Sequence, residues 1–153
     1  MQRTDFSVMT CSIARSLAVA GEPWSPLILR NAWVGINRFD DLQRDLGISR
    51  KVLAERLKHL VEEGMLERRL YGERPARYEH VMTRKGFEFV DVLMVMALWG
   101  DRWTAGEAGP PVLRRHRHCG ELTQIELRCG GCGEIVTSSD VDVEPGPGMT
   151  FTP

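Results

Sequence analysis

Near the C-terminal end of this 153-residue chain, four residues have the types and spacing to hold a metal ion. His116-Arg-His118-Cys119 is followed after nine residues by Cys129-Gly-Gly-Cys132-Gly. In a reducing compartment, C-x-x-C followed by glycine reads as a metal knuckle sooner than as a disulfide. The glycines let the backbone turn so that both sulfurs face one ion. Three thiolates need a fourth donor for a tetrahedral zinc site, and His116 supplies it as H-x-x-C beside C-x-x-C. His118, adjacent to Cys119, would be strained as a co-ligand. Four closed protein ligands leave no place for water, so Zn2+ at His116, Cys119, Cys129 and Cys132 would be structural rather than catalytic. The other reading is an unmetallated hairpin whose cysteines are free or paired. A tail this small has too little core to be stable alone, which itself favours a metal. Short strands are expected around it at 123–127 and 141–143, and a flexible end, EPGPGMTFTP.

The remaining cysteine, Cys11, lies near the start of a helix expected from about Ser7 to Ala20, closed by Gly21 and Pro23. A helix dipole there can lower a thiol pKa. Cys11 is either an oxidant- or electrophile-sensing thiolate or a small buried hydrophobe. Arg15 is the one nearby cation.

A third set of residues suits phosphates and base edges. Ser49, Arg50 and Lys51 open a helix, where backbone N–H groups favour anions. Ala54, Glu55 and Lys58 project from it as candidates for base-edge contact in a major groove. Arg68, Arg69, Arg74 and Arg77 lie on or beside a short ribbon, where guanidinium groups can reach phosphates or a minor groove. Singly, these are solvated loop charges. Around one ribbon that follows two closely linked helices, they point to double-stranded DNA.

The elements that must position this set run from Phe39 to Lys85. Leu42 and Leu46 give a first helix its apolar stripe, with Asn37 as the expected N-cap and Asp40 three residues on. Gly47 suits the C′ position. Ser49 caps a second helix running to about Glu63, stopped by Gly64, with Leu53, Leu57, Leu60 and Val61 on one face. Met65–Leu70 and Tyr78–Met82 are strand-like, with Gly72 and Pro75 between them. So short a turn makes the helices cross steeply and holds the second one proud, as a recognition helix is presented to DNA. The fold class expected is mainly α (α+β), a winged helix-turn-helix with a β-hairpin wing.

From Cys11 to Gly100 the chain resembles the HxlR-type winged-helix transcriptional regulators, relatives of the MarR group. The resemblance rests on Cys11, Trp24 with LILR at 27–30, RFDDL at 38–42, GIS at 47–49, LAERLKHLVEEGMLERR at 53–69, Pro75, Thr83 with Gly86, and Trp99-Gly100. Ser12 stands where the family usually has proline, and His80 where it often has tyrosine. Some members use a cysteine at the place of Cys11 as a redox sensor, which implies an oxidant or small-molecule effector. Many members stop before the cysteine-bearing tail.

Two flanking helices complete the head. One runs from Trp24 to about Val34 with Leu27, Ile28 and Ala32 inward; Trp24 and Trp33 serve core or interface. The other, capped by Thr83, runs from Arg84 to about Trp99, and its second half, VDVLMVMALW, is apolar almost all round. One stripe suffices to flank a small domain, so the surplus implies a second copy and a homodimer. Met94 and Met96 lining a ligand pocket is the other reading. The expected organisation is a winged-helix DNA-binding and dimerisation domain at 1–104, a linker at 105–111 (AGEAGPP) and a zinc-ribbon-like segment at 112–153.

Net charge is −1, but residues 49–85 hold ten Lys/Arg against six Asp/Glu, while residues 86–153 hold five against ten. Positive charge thus concentrates on the reading head, so DNA affinity should depend on salt. The longest apolar run, Val92 to Trp99, is too short to cross a bilayer, and no basic-then-apolar signal opens the chain; a cytoplasmic protein is expected. No phosphate loop, nucleophile elbow or open three-ligand zinc site marks an enzyme. The function expected is a dimeric, sequence-specific DNA-binding regulator, most simply a repressor. The alternative is a winged-helix and zinc-ribbon module that grips protein, favoured by Glu55, Glu62, Glu63 and Glu67.

Overall fold

A computed structural model describes residues 5–123 and 125–149, and the chain divides into two compact units, residues 1–93 and 94–153. In the first unit a 3-10 turn, Phe6–Val8, precedes α1 (Ser12–Ala20), α2 (Trp24–Trp33), α3 (Phe39–Leu46), α4 (Arg50–Glu62), β1 (Leu66–Glu73) and β2 (Ala76–Met82). α5 (Arg84–Trp103) begins in the first unit and continues into the second. The architecture is a winged helix-turn-helix. The expected loose arm at 1–6 and flexible end at 144–153 lie in part outside the described residues.

Local chemistry sets the helix-turn-helix. Asp40 and Asp41 stand in the first turn of α3 and Arg44 in its last, each complementing the helix dipole. Gly47 ends α3 at φ +65°, a left-handed backbone that glycine adopts without steric cost, and its N–H donates to the Gln43 carbonyl at 3.0 Å. Two residues later the Ser49 hydroxyl accepts the Val52 N–H at 3.2 Å and starts α4. The core that results buries Leu42 from α3, Leu53, Leu57 and Leu60 from α4, Ile28 and Leu29 from α2, and Met65 and Leu66 at the ribbon's start. Asn31, buried on α2, donates to Asp45 of α3 at 2.7 Å and ties those helices together.

The ribbon is antiparallel with Leu66 opposite Met82, Arg68 opposite His80 and Leu70 opposite Tyr78; its register shifts between Leu70 and Gly72. It is longer than the two strand-like stretches suggest, because pairing continues through Gly72 and Glu73 to Ala76. Thr83 then caps α5 as expected, its hydroxyl accepting the Gly86 N–H at 3.1 Å while donating to the Gly64 carbonyl at 2.6 Å. Gly86 is required by proximity: a Cβ there would lie 2.2 Å from the Met65 carbonyl oxygen.

Several expectations are corrected. Asn37 does not cap α3; Arg38 occupies that position without a side-chain bond, and the Asn37 carbonyl accepts the His80 N–H at 2.8 Å. With the Arg38–Glu79 bridge, this makes the loop before α3 a short third edge to the ribbon. α1 begins at Ser12, not Ser7, because Asp5 captures the Ser7 N–H and hydroxyl in a separate 3-10 turn. On α2 the inward stripe at helical spacing is Ser25, Ile28, Leu29 and Ala32, and Leu27 is exposed. α5 runs to Trp103, a full turn past Trp99. Strands at 123–127 and 141–143 do not form among the described residues; the tail carries only isolated bridges at Arg115–Leu122 and Arg128–Ile135.

Candidate nucleic-acid interface

α3, α4 and the ribbon together present one face. Along α4, Lys51, Ala54, Glu55 and Lys58 are exposed, and Lys58 pairs with Glu62 one turn on at 3.7 Å. Ser49 spends its hydroxyl on the cap, where it accepts the Val52 N–H. Arg50 leans back on α3, 2.8 Å from Asp40 and over the Phe39 ring at 4.7 Å. Both partners of that ion pair are well exposed, so the pair is worth little and Arg50 remains available to a phosphate.

The wing arginines divide by what holds them. Arg69 is committed: its guanidinium lies 2.8 Å from Glu79, which is largely buried. Arg68 stacks over Tyr78 at 4.0 Å, which fixes its direction without neutralising its charge. Arg74 and Arg77 are exposed at and near the ribbon's tip, with no carboxylate partner among the described residues. A groove of about 530 Å³ separates α4 from the ribbon, lined by Ala54, Lys58, Arg68, Tyr78 and His80 among others. A more polar hollow of about 500 Å³ gathers Arg38, Arg44, Arg50 and Arg77 around Asp40 and Asp41. Arg38, stacked over Tyr71 at 4.3 Å, and Arg44 were not among the contact residues read from the sequence. The available signal was their place on α3, Arg38 at its N-cap and Arg44 in its last turn.

His80 is buried, and its Nδ1 has no hydrogen-bond partner among the described residues. Burial first, then the neighbouring Arg68 charge, push its pKa below the ordinary histidine value. A neutral imidazole is what that position favours.

Cys11 sits at the N-cap of α1, exposed, with no capping bond from its side chain. The small-buried-hydrophobe reading is therefore incorrect: the thiol faces solvent.

In the tail, His116 Nδ1 lies 3.2 Å from Cys119 Sγ, and Cys129 and Cys132 share the next turn, where the Gly133 N–H donates to the Cys129 carbonyl at 2.8 Å. The Cys132 and Gly131 backbone N–H groups, with the Cys132 side chain, hold the Cys129 thiol below its usual pKa. The donors thus stand in two pairs, and among the described residues no three His, Cys, Asp or Glu side chains gather within reach of one ion.

A helix-turn-helix whose second helix is exposed beside an arginine-edged ribbon defines the winged-helix class of DNA-binding proteins. The HxlR-like helix-turn-helix family model matches residues 19–108, and the chain belongs to that family. An uncharacterised HTH-type transcriptional regulator of Mycobacterium tuberculosis is 42% identical over 138 residues, covering 90% of this chain and 87% of the relative. So long a match runs beyond residue 108 into the tail. Among solved structures, the candidate transcription factor PA1607 aligns with a TM-score of 0.83 at 30% identity, over 94% of this chain and all of that one. Reduced YodB from Bacillus subtilis aligns with a TM-score of 0.54 at 32% identity, over 66% of this chain and 99% of that one. YodB has also been solved after diamide treatment.

Proposed function

We propose that the protein is a homodimeric, sequence-specific repressor that binds double-stranded DNA in the cytoplasm and responds to an oxidant or a small ligand. The observation that carries this is the exposed edge of α4, from Lys51 to Lys58, standing beside a ribbon tip whose Arg74 and Arg77 have no carboxylate partner among the described residues. α4 enters the major groove with Lys51, Ala54, Glu55 and Lys58 towards base edges. Ser49 and Arg50 meet the backbone at its start, and Arg68, Arg74 and Arg77 grip the flanking strand. Homodimerisation is supported by α5, where Val92, Val95, Met96, Trp99 and Trp103 are exposed at helical spacing.

The test is binding to the DNA upstream of the protein's own gene against scrambled DNA, across a salt series. A preference of about a thousandfold or more with a steep salt slope is expected. Arg74→Ala and Arg77→Ala should weaken both DNAs about equally, each lowering the logarithmic salt slope by about 1. Unchanged slopes in both variants would remove the wing from the interface. Equal, feeble binding to the two DNAs would favour the protein-gripping module instead, a reading supported by the exposure of Glu55, Glu62 and Glu67.

For the effector, the solvent-facing Cys11 at a helix start is the candidate thiol. Diamide is expected to lower the operator affinity of the native chain at least several-fold and to leave Cys11→Ser unaffected. Equal sensitivity in the variant would exclude Cys11 and turn attention to the tail cysteines.

A further inference from the structure

We infer that residues 114–123 and 127–136 form a duplicated metal knuckle whose two arms close on one structural zinc ion, with His116 and not His118 as the nitrogen ligand. The duplication is in the backbone. In the first arm the His116 N–H donates to the Glu121 carbonyl at 2.9 Å, the Gly120 N–H to the His116 carbonyl at 2.8 Å, and the Thr123 N–H to the Arg114 carbonyl at 2.8 Å. In the second arm Cys129, Gly133 and Val136 donate to Glu134, Cys129 and Leu127 in the same pattern, each at 2.8 Å. Gly120 and Gly133 both turn left-handed, at φ +76° and +78°. Arg115 Nη1 donates to the Gly120 carbonyl at 2.9 Å, and Arg128 Nη1 to the Gly133 carbonyl at 3.0 Å. The bridges Arg115–Leu122 and Arg128–Ile135 repeat likewise. The letters follow: Arg-His-x-x-Cys-Gly-Glu-Leu, then Arg-Cys-x-x-Cys-Gly-Glu-Ile.

That correspondence assigns the ligands. His116 takes the place of Cys129 and Cys119 that of Cys132, so each arm offers one donor at each end of its turn. His118 takes the place of Gly131, a position that offers no side chain in the second arm. His116 Nδ1, already facing Cys119 Sγ, is the nitrogen that would ligate.

The arms also lack any other source of cohesion. None of the described residues beyond α5 is buried, and Leu122, Leu127 and Ile135 are all about half exposed or more. Two ordered turns with no core between them need a cross-link, and a four-ligand ion supplies one. Drawing the two donor pairs onto that ion is the step that metal binding performs.

The full-length chain, purified reduced and supplied with zinc, is expected to hold one ion per chain by elemental analysis. Cobalt in its place should give the visible band of a tetrahedral site with thiolate-to-metal charge transfer. His116→Ala should weaken zinc binding by about 100-fold or more, beyond the loss from an outer-shell residue, while His118→Ala stays within about threefold. Cys132→Ser should remove the stoichiometric ion. No bound metal, one ion per two chains, or equal losses from the two histidine variants would overturn the assignment. None of these readings depends on DNA binding.

Discussion

Gly86→Ala should lower the unfolding free energy by about 3 kcal/mol, the upper range for forcing an atom into a packed contact. An added Cβ would stand 2.2 Å from the Met65 carbonyl oxygen, and that atom belongs to the main chain and cannot swing away. The sign is informative because glycine to alanine inside a helix ordinarily stabilises by about 1 kcal/mol. Gly100, on the same helix, is the control: a Cβ there meets only Thr104 Oγ1 at 3.6 Å, an ordinary contact. Urea unfolding of the two variants should therefore move in opposite directions. A Gly86→Ala chain as stable as the native one would mean that α5 does not seat closely on the start of β1.

Trp99→Glu carries the other large effect. Trp99 is 64% exposed and Trp103 69% exposed on a stripe that includes Val92, Val95 and Met96, far more apolar surface than one helix of a monomer should show. A carboxylate at its centre would have to be buried without a partner when a second copy covers the stripe. The variant should sediment as a monomer. Its operator affinity should fall by about a hundredfold or more, since the second reading head no longer binds at high effective concentration. A Trp99→Glu chain that remains dimeric and binds DNA normally would place the dimer interface elsewhere.

Much of the head was legible in the sequence because its boundaries are written in residues with few alternative uses. Gly47, Ser49, Gly64 and Thr83 each do one thing well, and all four mark helix ends in the structure. Asn37 misled because its type suits a cap while its backbone carbonyl is claimed by β2, a partner more than forty residues away. The commitment of Arg69 to Glu79 is tertiary, so no local pattern separates it from Arg74 and Arg77, which have no carboxylate partner among the described residues. In the tail H-x-x-C beside C-x-x-C was legible, but the repetition of one backbone pattern in both arms rests on hydrogen bonds that the spacing of the cysteines does not reveal.

The chain's chromophores sort by location. Its two tyrosines, Tyr71 and Tyr78, are both on the ribbon, each beneath an arginine. Its four tryptophans are all on α2 and α5, and none stands on α3, α4 or the ribbon. Light that excites tryptophan alone therefore watches α2 and the apolar stripe of α5, with no signal from the wing.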